Sequence, residues 1–225
     1  MRKLALLATT AAFVGLSAMA QAAPITIIAF AQDSTSNTIT AAAGGGSTTL
    51  TGSDVAITVS AYSDSTPTPF QAYLNLNATS TGAASLVAGT DVFQAFAGSF
   101  TITSGTGGTG INYLSGSFAD IALAGSRLAG PNGGFQASLI ATDPPGSVTF
   151  TSDNIPASKL GDPSSIGFTF TALSQELGIC GSTVCSFTAS VSGNASASAV
   201  PAPAGLAFLG IGLLGLAVAR RKVAA

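Results

Sequence analysis

Apolar and polar residues alternate along most of the interior of this chain. Across residues 54–61, Val55, Ile57, Val59 and Ala61 fall on one side of an extended backbone. Across residues 70–77, Phe70, Ala72, Leu74 and Leu76 face one way and Gln71, Asn75 and Asn77 the other. The same beat returns at Phe100/Ile102, Ala119/Ile121/Leu123, Phe135/Ala137/Leu139, Val148/Phe150, Phe168/Phe170 and Phe187/Ala189/Val191. Successive side chains of a strand point to opposite faces, so each run predicts a strand with one buried face. Residues 24–30 supply a first strand.

Turn-forming clusters punctuate these runs: 44–46 (Gly-Gly-Gly), 66–69 (Thr-Pro-Thr-Pro), 105–110, 131–134, 143–146 and 161–163. Short strands, Gly/Pro punctuation and no helical stripe in the interior predict an all-β fold. The expected form is an antiparallel β-sandwich of jelly-roll type, with a barrel as the alternative. Phe-Gln-Ala recurs at 70, 93 and 135, and Ser-Phe-Thr or Ser-Val-Thr at 99, 147 and 186. The spacings are unequal, so shared strand composition explains them better than a structural repeat does.

The two ends break the pattern. Arg2 and Lys3 precede an apolar run from Leu4 to Leu16, and small residues follow at Ala18, Ala20 and Ala22. That is the layout of a secretory signal peptide over residues 1–22, with signal peptidase reading Ala20 and Ala22. The β-domain is expected over 23–192. Residues 193–199 (Gly-Asn-Ala-Ser-Ala-Ser-Ala) read as a small-residue linker. Residues 204–219 carry no charge and are followed by Arg220, Arg221 and Lys222, which predicts a short membrane-spanning helix with a cytoplasmic basic stop.

Charge narrows the partners. Residues 23–199 hold all nine acidic side chains of the chain against two basic ones, Arg127 and Lys159, hence a net charge of −7. Nucleic acid and anionic lipid need clustered Lys and Arg, so neither is an expected partner of this domain; the inner membrane enters only transiently, through the C-terminal helix. Cys180 and Cys185 are the only cysteines, and in an exported chain they are expected to form a disulfide across a turn.

Catalytic chemistry is sparse. The chain has no His, so a Ser-His-Asp arrangement cannot be assembled. A carboxylate-pair hydrolase would have to draw on Asp residues that sit in turn-forming contexts. The string 105–110 (Gly-Thr-Gly-Gly-Thr-Gly) matches the glycine spacing of a dinucleotide loop, but no helical stripe follows it, and a hairpin loop is expected instead. No catalytic, cofactor-binding or metal-ligating residue is assigned. The oxygen-rich stretches 151–154 and 161–165 are the places where calcium could bind. Glycan contact has only Tyr62, Tyr73 and Tyr113 as tyrosines and no Trp to draw on. Asn77 and Asn194 head N-glycosylation sequons, at 77–79 and 194–196.

The C-terminal layout resembles a known family. Val200, Pro201 and Pro203, then a Gly/Leu-rich apolar segment, then Arg220 and Arg221 are similar to the PEP-CTERM sorting signal of Gram-negative bacteria. Ala202 stands where that family usually has Glu. The resemblance covers residues 200–225 and implies processing by an exosortase-type enzyme near the prolines. It also implies a class role beside exopolysaccharide and biofilm. The expected function is therefore a non-enzymatic, exported surface or matrix protein, with an adhesin-like module binding calcium or glycan as the alternative and an Asp-based hydrolase behind it.

Overall fold

The computed structural model describes residues 24–34, 38–127, 135–141 and 148–198. The expected signal peptide with Ala20 and Ala22, the expected sorting residues Val200, Pro201, Pro203, Arg220 and Arg221, and the apolar segment 204–219 lie outside them. Among the described residues no helix is long and apolar enough to cross a membrane.

Among the described residues thirteen strands form: β1 (Pro24–Gln32), β2 (Ile39–Gly44), β3 (Ser47–Tyr62), β4 (Phe70–Ser80), β5 (Ser85–Val87), β6 (Asp91–Thr103), β7 (Asn112–Ser126), β8 (Ala137–Ala141), β9 (Val148–Thr151), β10 (Gly161–Thr171), β11 (Ile179–Cys180), β12 (Thr183–Val184) and β13 (Phe187–Ser198). The β-sandwich expectation is overturned. The main sheet curls round and closes on itself, β6 pairing with β7 and β13 with β1, as an eight-stranded antiparallel barrel. Several staves are made of two collinear pieces: β1 hands over to β2 between β13 and β3, β4 to β5 along β6, and β8 to β9 along β7. Neighbours in space are therefore neighbours in sequence all the way round, as in an up-and-down barrel.

Local alternation could not distinguish the two folds. A sandwich strand and a barrel strand both bury every second residue. The difference lies in whether the first and last strands find each other, and here Pro24 pairs with Ser198 and Ala31 with Ser192.

The stretch read as a linker is corrected for the same reason. Residues 193–198 belong to β13, pair with β1 on one side and β10 on the other, and bury Ala195 and Ala197. They are small because the barrel is tight there. A Cβ on Gly193 would sit 2.6 Å from the Phe30 ring. Low side-chain volume, which elsewhere marks flexible chain, here marks close packing.

The lumen is a solid core. Phe96, Phe100, Phe168 and Phe170 are fully buried within it. Phe30, Phe168, Phe100 and Phe150 run across it in edge and tilted contacts, with ring centroids 6.2, 5.5 and 6.2 Å apart. Eight strands enclose a space that side chains can fill, and these do. Outward positions of the described strands carry mainly Thr, Ser, Asn, Gln and Ala, with Phe93 and Ile140 among the exposed apolar exceptions, so the apolar side chains are concentrated inside, unlike the lipid-facing outer band of a membrane barrel.

Bulges shift the phase of the alternation. Asp54, at φ 49°, sits in the register break between Gly52 and Val55, so Leu50 and Val55 both face inward. Asp120, at φ 53°, does the same on β7, where the inward residues are Phe118 and Ile121 and the expected Ala119 is exposed. Phe135 also departs from expectation: it lies ahead of β8 and is 44% exposed.

Candidate functional site

Three places concentrate polar chemistry: the two ends of the barrel and one stretch of its outer wall. At the rim where Pro24 meets Ser198, Tyr62 packs edge-on against Phe70 and Tyr113, with centroids 5.7 Å away in each case. Its hydroxyl donates to the Tyr113 carbonyl (2.9 Å) and lies 3.2 Å from the Ser152 hydroxyl. Burial pushes the Tyr62 phenol above its ordinary pKa, and the nearby Asp64, Tyr113 and Asp153 push the same way against the Ser152 hydrogen bond. Asp64 is held below the usual carboxylate range by the Ser65 backbone N–H, then by the Thr66 hydroxyl 3.0 Å away, with Lys159 adding to it.

The Tyr62 shift has a signed consequence. A phenol whose pKa is higher in the folded state contributes stability below its unfolded pKa of about 10, and that stability is lost as pH rises toward the folded value. The melting temperature should therefore fall above about pH 10. Tyr62→Phe should flatten that alkaline loss while costing about 1 kcal/mol at neutral pH for the missing hydrogen bond. Thermal melts from pH 7 to 11 on both proteins check this, and parallel alkaline limbs would refute it.

The opposite end is capped by a short hairpin. β11 and β12 pair through Ile179–Val184 and Cys180–Thr183, and Cys180 and Cys185 form the expected disulfide, with Cα atoms 4.9 Å apart. The hairpin is fastened to a polar side chain pointing into the barrel. Gln94, fully buried on β6, donates to the Gly82 carbonyl (2.8 Å) and to the Thr183 hydroxyl (3.0 Å) and accepts from the Val184 N–H (3.0 Å). Thr48 on β3 donates to the Val184 carbonyl (2.6 Å) and hydrogen-bonds Thr183. Gln94 is the middle residue of one Phe-Gln-Ala string, and the alternation alone gives no reason to single it out.

The acidic residues mostly fasten turns. Asp54 Oδ1 accepts the Gly107 N–H (2.6 Å) and the Asn75 amide (3.1 Å), which ties the glycine-rich loop to the β3 bulge. That loop joins β6 to β7 as a hairpin connection, as expected. Asp33 accepts from the Thr58 hydroxyl. In the stretches considered for calcium, Asp153 Oδ2 accepts the Asn112 N–H (2.8 Å) and Asp162 Oδ1 the Ser164 hydroxyl (3.2 Å). No three His, Cys, Asp or Glu side chains among the described residues gather as a cation site.

On the outer wall of β3, β4 and β6 lies a groove of about 280 Å³. Thr51, Ser53, Asn75, Asn77, Ser99 and Thr101 line it, with Gly52, Leu76 and Phe100 beneath. Asn75 is committed to Asp54, its Oδ1 accepting the Asp54 N–H at 2.9 Å. Asn77, the first residue of one sequon, is exposed at the groove, and Asn194 is exposed on β13. The three tyrosines do not gather into one platform: Tyr62 and Tyr113 share the rim, while Tyr73 faces outward on β4.

Comparison with family models, with curated proteins and with solved structures returned no match. The class is set by the fold alone: a closed, side-chain-filled, up-and-down β-barrel with a disulfide-closed hairpin at one end.

Proposed function

We propose that the protein is an exported, non-enzymatic surface or matrix component whose barrel is delivered by two disposable end signals. Signal peptidase cuts at Ala20 or Ala22, and an exosortase-type enzyme acts near Val200, Pro201 and Pro203, with Arg220 and Arg221 as the basic stop. Exopolysaccharide is the partner that the resemblance of the C-terminal segment implies. The observation that supports this reading is where the barrel begins and ends. Its first described residue, Pro24, pairs with its last described residue, Ser198. Each lies just inside one proposed cut, so either cut leaves the pairing of the described strands intact.

Deleting residues 200–225 is expected to abolish the membrane-held precursor and the processed surface form together, with the barrel escaping to the medium. Cell fractionation and intact mass of the recovered protein check this. The same location and mass for the deleted and intact chains, after allowance for the missing residues, would refute the sorting role.

A further inference from the structure

The strand registers bring one outward residue from each of seven strands into a single row. Thr188 lies opposite Thr40, Thr40 opposite Thr51, Thr51 opposite Asn77, Asn77 opposite Ser99, Ser99 opposite Ser117, and Ser117 opposite Thr149. Asn75, Thr101, Ser115 and Thr151 form a second row two residues away along the strands. Every member of both rows is a hydroxyl or a carboxamide, and none is charged. In the Ser-Phe-Thr string at 99, the inward Phe100 separates Ser99 of the first row from Thr101 of the second, while the string at 186 contributes Thr188 to the first row.

Where the rows cross β3, β4 and β6 they line the groove. There Thr51, Ser53, Asn77, Ser99 and Thr101 make no side-chain hydrogen bond to another described residue. Further along, the rows are partly self-satisfied, since Ser117 and Thr149 share a hydrogen bond of 2.7 Å and Ser115 donates to Asn112 at 2.7 Å. Uncommitted donors and acceptors therefore cluster in this groove, and the first row runs on through Thr40 and Thr188 into a second concavity of about 330 Å³.

We infer that this groove and its flanking rows bind a neutral polysaccharide chain. Strand pairing spaces the side chains by about 4.8 Å across the sheet and by about 6.7 Å along it. Such a lattice of neutral donors and acceptors matches a ligand that repeats hydroxyls along its length better than a compact or ionic one. The −7 charge of residues 23–199 works against an anionic polymer. Each hydrogen bond competes with water and contributes little alone, so binding depends on length.

The inference rests on the matrix-protein reading only for its choice of probes, and the two fail separately: sorting is read in cells, binding on purified protein. Native gels cast with neutral dextran, a neutral β-glucan or anionic alginate measure it. Retardation is expected in a neutral polymer and not in alginate. The double variant Asn77→Ala, Ser99→Ala should weaken it at least about fivefold, the equivalent of one net hydrogen bond. Thr169→Ala, exposed on β10 away from the groove, should leave it unchanged. Melting temperatures within about 2 °C of the parent show that both variants remain folded. The inference is overturned by no retardation in either neutral polymer, by retardation that survives the double variant, or by retardation in alginate alone. A separation of freezing and melting points without glycan retention also overturns it, assigning the rows to ice.

Discussion

Phe168→Ala is expected to lower the stability of the barrel by about 3–5 kcal/mol, the range for truncating a buried Phe. Phe168 sits at the middle of the lumen, fully buried, with Phe30 on one side and Phe100 on the other. The surrounding staves are hydrogen-bonded in a closed ring and cannot collapse inward to fill the space, which places the cost toward the upper end. For a domain of this size the melting temperature should drop by on the order of 10 °C. The loss should be global, with chemical denaturation staying a single cooperative transition. A drop under about 2 °C would mean that the lumen repacks freely and is not the close-packed core described above.

Gln94→Ala should act differently, though with comparable size. It leaves the buried Val184 N–H without a partner and takes one partner from the Thr183 hydroxyl, which keeps Thr48, while the carbonyl of the exposed Gly82 can turn to water. A buried group left unsatisfied costs about 1–3 kcal/mol, so a total of about 2–3 kcal/mol is expected. The damage should be local. Gln94 and Thr48 bolt the hairpin to β6 and β3, while the Ala84 N–H to Ser182 carbonyl bond (2.8 Å) holds it from the segment leading into β5. Amide exchange at Val184 should therefore accelerate, and proteolysis between residues 173 and 186 should appear well below global unfolding. Unchanged protection at Val184 would show that the disulfide and the apolar contacts of Leu173, Leu177 and Val184 hold the cap without Gln94.

Much of the strand content was legible. The beats at Val55/Ile57/Val59 and Phe70/Ala72/Leu74/Leu76 become strands, and Val55, Ile57, Val59, Ala72, Leu74 and Leu76 are buried as the pattern requires. The pattern failed where a bulge slid the phase, as at Asp120, or where a strand began late, as at Phe135, since neither event leaves a composition signal. It also misread residues 193–198, because Ala, Ser and Gly describe a loose tether and a crowded stave in the same letters. The groove was hidden for another reason. Thr51, Asn77 and Ser99 lie in three separate strands, and only register makes them neighbours.

The sequence by itself determined an all-β interior rich in hydroxyls, a strongly acidic balance and a cysteine pair close enough to join. These follow from residue types and short-range spacing, which every local segment carries. Tertiary structure alone decided that the sheet closes, that Gln94 turns inward to hold the cap and that scattered Ser, Thr and Asn line up into rows. Closure and register depend on pairings such as Pro24 with Ser198. Those are settled by the energy of the whole ring of strands, not by any stretch of it.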